Sequence, residues 1–154
     1  MLNPGDTAPD FELPDQSGET RTLRGLLGAG RLLLFFYPAD FSPVCTAQAC
    51  QMRDRYERVL DAGTRIAGVS TQSVGSHAKF AERFRLPYPV LADPDKRVCR
   101  AYGVLGPMGL WTNRISYLIG PDARVIDAVR SGLLLGKHRR LTEPTEQTDR
   151  SRQG

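Results

Sequence analysis

The chain has 154 residues, 21 basic against 17 acidic, for a formal net charge of +4. Such a length makes about one domain, which buries enough surface to fold without a disulfide framework, and its three cysteines are too few and odd in number to be one. The net charge would permit weak association with polyanions, but the charges are spread rather than patched and no nucleic-acid partner is expected; five Lys or Arg against three acids in the last 24 residues place about half of the net charge in the tail.

The opening "MLNPGDTAPDFELPD" has no basic segment followed by an apolar core, and the longest apolar run, Leu32 to Tyr37, is far too short to cross a bilayer. A soluble cytoplasmic protein with no membrane partner is expected. Leu13 to Leu27 reads as extended segments around the turn "PDQSGE". "GLLGAG" reads as a further turn; it precedes a strand, whereas a nucleotide-binding glycine loop follows one. "RLLLFFYP" is short, continuously apolar and stopped by proline, as suits a strand buried on both faces of a sheet.

From Pro43 to Ala62 no glycine or proline intervenes, and Ala49, Met52, Tyr56, Val59 and Leu60 recur at helical spacing. Ser42 is the N-cap candidate, with Pro43 at the first helical position and Gly63 closing the helix. "RIAGVST" predicts a second buried strand, "SVGSHAKFAERFRL" a helix ended by Pro87, and "YPVLADP" a third strand. A short helix around Lys96 to Tyr102 and the loop "GVLGPMG" lead into "RISYLIGPDARVIDAV", a hairpin turning at Gly120, Pro121 and Asp122. Strands alternating with helices, then a hairpin, imply an α/β domain with a central mixed sheet covered by helices on both faces. That domain is expected to span residues 1–130, with 131–154 a loose tail that lacks a clear final amphipathic helix.

The cysteines carry the chemistry. Cys45 falls in the first turn of the long helix, directly after a strand, where unpaired backbone N–H groups and the helix dipole favour an anion. A thiolate there is a nucleophile. Cys50 lies five residues on, so an intact helix holds the two Cα atoms roughly 8–9 Å apart and about 140° around the axis. A disulfide needs less than about 7 Å. Any Cys45–Cys50 bond therefore requires the first turns to unwind, a two-state element with a wound reduced form and an unwound oxidised one. Without such a reaction, each cysteine is a small buried helix residue.

The stretch "FYPADFSPVCTAQACQMRD" resembles the active-site signature of the peroxiredoxins, P-x-x-x-T/S-x-x-C, filled by Pro38, Ser42 and Cys45. Its C-x4-C spacing is similar to the peroxiredoxin Q type, also called bacterioferritin comigratory protein. "PGDTAPDFELPDQSGET", "VLADPDKRVCRAYGV" and "RISYLIGPDARV" extend the resemblance over most of the chain. It implies a thioredoxin-like fold with an N-terminal β extension, and reduction of hydrogen peroxide or alkyl hydroperoxides. Cys45 would become a sulfenic acid, Cys50 would resolve it as a disulfide, and a thioredoxin-like donor would reduce that bond. Ser42 would hydrogen-bond the thiolate and the peroxide, Pro38 would shield the pocket, and Arg114 would hold the thiolate and stabilise charge on the departing oxygen. The same resemblance implies no metal or organic cofactor and favours a monomer. Two positions depart from the pattern: Ser42 where threonine is usual, and Gln48 where glutamate is usual, which removes a negative charge near the site.

Other readings compete. A thiol–disulfide oxidoreductase would more often carry C-x-x-C; a redox sensor would use the same pair without turnover; a one-cysteine enzyme would take an external thiol in place of Cys50. Cys99, in "DKRVCRAYGV", is an apolar-face residue or an alternative resolver. His77 and His138 are isolated and read as solvated, so a zinc site is not expected. Met108 and Trp111, in a Gly/Pro-rich loop, are candidates for a substrate or partner surface.

Overall fold

The computed structural model describes residues 1–130. The expectations for the tail from 131 onward, His138 among them, lie outside the described residues. A small antiparallel pair, β1 (Glu12–Pro14) and β2 (Thr20–Thr22), precedes the main sheet. Five strands build that sheet: β3 (Arg31–Phe36), β4 (Thr64–Ser70), β5 (Val90–Ala92), β6 (Ile115–Ile119) and β7 (Val125–Arg130), in the order β5-β4-β3-β6-β7. β3, β4 and β5 run parallel, while β6 is antiparallel to β3 and β7 to β6.

Central β3 has no polar face because both its faces are covered. Leu32, Leu34 and Phe36 join one core, and Leu33 and Phe35 the other. The first core is closed by α1 (Leu23–Leu27) and α4 (Arg97–Ala101), the second by α2 (Pro43–Asp61) and α3 (Val74–Phe84). At the free edge beyond β5, the Gln16 side chain donates to the Tyr88 carbonyl at 3.2 Å and accepts from the Val90 N–H at 2.9 Å. That side chain occupies backbone groups at the open strand edge.

Three sequence expectations need correction. Leu23 to Leu27 is not extended but a short helix, because Thr22 caps it, its Oγ1 accepting from the Gly25 N–H at 3.0 Å, and Leu23, Leu26 and Leu27 then face the core. Leu60 is 39% exposed, and the buried stripe of α2 runs instead through Cys45, Gln48, Ala49, Met52 and Val59. His77 is not solvated. It is fully buried on α3, held by groups from β4, β5 and the loop before α2.

Candidate active site

Parallel strand β3 ends at Phe36, and the loop from Tyr37 to Ser42 turns the chain into α2 at the carboxyl edge of the sheet. Ser42 occupies the N-cap position with extended backbone, and the Thr46 N–H reaches its carbonyl at 2.8 Å. Its hydroxyl does not cap the helix; Oγ donates to the Ala39 carbonyl at 3.2 Å and braces the loop. Pro43 opens the helix, where its missing N–H costs no hydrogen bond. Pro38 is half-buried in the same loop, and Phe41 crosses it at φ +65° with its ring packed on Phe80 and Phe84.

Cys45 follows in the first turn, 1% exposed. Arg114, one residue before β6, approaches from across the sheet: its Nη2 lies 3.6 Å from the Cys45 Sγ. The guanidinium places a permanent positive charge beside the sulfur. Its Nε is buried and meets no hydrogen-bond acceptor among the described residues, which leaves a donor beside the cysteine. Cys50 is half-buried on the following turn, and α2 is continuous through both cysteines, which are free thiols. Gln48, between them, is fully buried. Cys45, Ser42, Pro38, Arg114 and Cys50 therefore all stand on or beside one helix start.

Cys99 lies elsewhere. It belongs to the core on the opposite face of the sheet from Cys45 and is fully buried. Burial first, then the Asp93 carboxylate, pushes its thiol far above the ordinary range, so it is a poor nucleophile in the folded chain. Met108, Leu110 and Trp111 are exposed on the loop that leads to Arg114. The bridge between Leu105 and Thr112 and the Lys96 ammonium, which donates to the Gly109 carbonyl at 2.7 Å, hold that loop in shape.

Sequence reasoning missed the support beneath the loop. The Asp40 carboxylate accepts from the Tyr37 hydroxyl at 2.6 Å, from the Ser76 hydroxyl at 2.7 Å and from His77 Nδ1 at 2.6 Å. His77 Nε2 faces the Leu91 carbonyl at 3.0 Å and Ser70 Oγ at 3.3 Å, and Gln72 accepts from the Asp40 N–H. Burial alone would raise the Asp40 carboxyl, but the hydrogen bonds from His77, Tyr37 and Ser76 outweigh it and hold it below its ordinary value. The Ser70, His77 and Asp40 side chains superficially match a hydrolytic triad. Ser70 and His77 have no exposed surface, however, and a backbone carbonyl occupies the nitrogen that would serve as base. The group is scaffolding for the loop.

A sheet of this topology with a cysteine at the helix start after its central strand, faced by an arginine, matches the expectation of a thiol-dependent peroxidase. The model of the AhpC/TSA family matches residues 4–128, and the chain belongs to that family. Peroxiredoxin Bcp of Escherichia coli is 38% identical over 130 residues, which cover 80% of this chain and 83% of that one. The crystal structure of peroxidoxin BcpB from Mycobacterium tuberculosis superposes with a TM-score of 0.86 at 38% identity, covering 92% of this chain and 94% of that one. A Xanthomonas campestris bacterioferritin comigratory protein, studied for alkyl peroxide reduction in trapped intermediate and ligand complexes, gives a TM-score of 0.79 at 28% identity. It covers 86% of this chain and 87% of the other. The peroxiredoxin Q resemblance read from the sequence agrees with these relatives.

Proposed function

We propose that Cys45 is the peroxidatic cysteine and Cys50 its resolving partner in the reduction of hydrogen peroxide and alkyl hydroperoxides. The observation that carries this reading is the 3.6 Å approach of Arg114 Nη2 to the Cys45 sulfur at the first turn of α2. The thiolate attacks the terminal peroxide oxygen; the O–O bond breaks, the departing oxygen takes a proton and leaves as water or alcohol, and Cys45 becomes a sulfenic acid. Arg114 stabilises the thiolate, and its unpartnered Nε is a ready donor to a peroxide oxygen as negative charge gathers on it. Ser42 can turn its hydroxyl from the Ala39 carbonyl toward the sulfur or the peroxide, and Pro38 screens the pocket from water.

The Cys50 thiol then attacks the Cys45 sulfur, an S–S bond forms and water leaves. Helix geometry requires the residues between them to unwind for this step. A dithiol donor of thioredoxin type returns the pair to thiols by exchange, taking the disulfide onto itself. The protein acts as a monomer in the reducing cytoplasm. No helix among the described residues is long and apolar enough to cross a membrane.

Intact-mass analysis before and after one equivalent of hydrogen peroxide, with alkylation and peptide mapping, tests this. The expected product links Cys45 to Cys50 and leaves Cys99 as a thiol. A sulfenic acid that persists on Cys45, or a bond from Cys45 to Cys99, would remove Cys50 from the resolving role. Steady-state peroxide consumption with a thioredoxin system separates an enzyme from a sensor: a sensor is oxidised once and does not turn over.

A further inference from the structure

Tyr88, in the short link between α3 and β5, is 1% exposed, and its hydroxyl donates to the Ala49 carbonyl at 2.7 Å. That carbonyl belongs to the peptide unit whose nitrogen is that of Cys50. The Tyr88 ring is fixed from two sides, by Phe35 of β3 at 5.7 Å between centroids and by Tyr56 of α2 at 5.9 Å. One turn further along α2, Arg53 Nη1 donates to the Phe84 carbonyl at 2.8 Å. From Ala49 onward the helix is thus tied to the end of α3 and the segment that links it to β5, whereas Cys45 sits in the turn before that tie. The 49–50 peptide is also the last one inside the loop that a Cys45–Cys50 bond would close. Unwinding that carries this peptide out of its helical orientation breaks the Tyr88 hydrogen bond, which belongs to the wound state.

We propose that the Tyr88 hydroxyl is a positioning latch for the resolving step, holding the Ala49–Cys50 peptide in the helix and so setting how fast Cys50 reaches oxidised Cys45. This rests on the two-cysteine reading above. The step itself is unchanged: sulfenic acid and thiol give disulfide and water, with no further oxidant or reductant. The latch decides a competition. A slow resolver leaves the Cys45 sulfenic acid open to a second peroxide, which converts it to sulfinic acid and ends turnover. A faster one protects the enzyme at high peroxide.

Tyr88→Phe keeps the buried ring and removes only the donor, while the Ala49 carbonyl retains its helical acceptor role toward the Arg53 N–H. A neutral buried hydrogen bond in the wound state alone makes disulfide formation roughly two- to tenfold faster once it is gone. The test follows disulfide formation in the full chain by rapid-quench alkylation after a peroxide pulse, together with the peroxide dose that half-converts Cys45 to sulfinic acid. Tyr56→Phe, which alters the neighbouring ring but not the Ala49 contact, is the control. The expected result is a rise of two- to tenfold in both quantities for Tyr88→Phe, no rise for Tyr56→Phe, and an unchanged rate of the first oxidation.

Equal rates in Tyr88→Phe and wild type overturn the latch, as does an equal rise in both variants, which would mean general loosening. Failure of the underlying reading is separately visible, since the wild-type chain would then form no Cys45–Cys50 bond at all. Amide hydrogen exchange in the wild type gives an independent check that needs no variant. The Arg53 N–H should lose protection on oxidation; if it stays protected, the 49–50 peptide never leaves the helix and the latch has no role.

Discussion

Replacing His77 by alanine breaks the buried group beneath the active-site loop, and the structure sets the scale of the effect. His77 joins Asp40 of the loop to the Leu91 carbonyl of β5, at 2.6 Å and 3.0 Å. Both atoms it serves are acceptors, and without the ring the Asp40 carboxylate keeps only the Tyr37 and Ser76 hydroxyls and stays buried. Losing a hydrogen bond to a buried carboxylate together with the ring that fills the site costs about 3–5 kcal/mol. For a chain of this length that lowers Tm by roughly 6–20 °C. The pH dependence gives a sharper signature. The Asp40 carboxyl in the wild type lies below its ordinary value, so its contribution is complete above about pH 3.9 and is lost as pH falls through the depressed folded value. With His77 gone, burial is opposed only by the two hydroxyls and the Asp40 carboxyl lies higher than in the wild type, so the variant loses less on protonation than the wild type does. The deficit should therefore be largest near neutral pH and shrink in acid. Urea unfolding of wild type, His77→Ala, Asp40→Asn and the double variant from pH 3 to 8 measures this, and the double variant should lose less than the sum of the single ones. A deficit below about 1 kcal/mol at pH 7, strict additivity, or a deficit that grows in acid would refute the account.

Arg114→Ala removes a charge-assisted contact to sulfur, worth about 1.5–3 kcal/mol, so the rate of Cys45 oxidation in stopped-flow peroxide competition should fall by roughly one to two orders of magnitude with folding intact. Cys99→Ser should leave peroxide turnover unchanged, and native-state alkylation should label Cys99 far more slowly than Cys50, because only unfolding exposes it. Gly30→Ala places a Cβ 2.4 Å from the Gly63 carbonyl oxygen, backbone that the Arg31 N–H already holds at 3.0 Å. The turn must shift, and urea melts should show a loss of about 1–3 kcal/mol.

Much of the fold was legible because its signals are local. A six-residue apolar run ended by proline identified the central strand, and the unbroken stretch after Pro43 identified the long helix with Cys45 at its start. Helix geometry applied to the spacing of Cys45 and Cys50 was enough to require unwinding if they pair. Short-range chemistry also failed once: the Thr22 cap that turns Leu23 to Leu27 into a helix depends on one hydroxyl, and the apolar spacing there is too brief to show a period.

What the sequence could not display were contacts between residues far apart in the chain. Asp40 and His77 are 37 positions apart and Ala49 and Tyr88 are 39, while Cys45 and Arg114, 69 apart, were paired only through the family resemblance. No periodicity links such pairs, and a histidine read alone in a polar segment looks solvated. It became buried because α3 packs its His77 face onto the strand ends at the carboxyl edge of the sheet, where Asp40, Ser70 and Leu91 supply the acceptors it needs. The sequence alone therefore determined which cysteines stand at a helix start and that joining them requires that start to open. Only the tertiary structure decided what holds it closed, because burial and charge pairing are properties of surfaces brought together by folding and not of spacing along the chain.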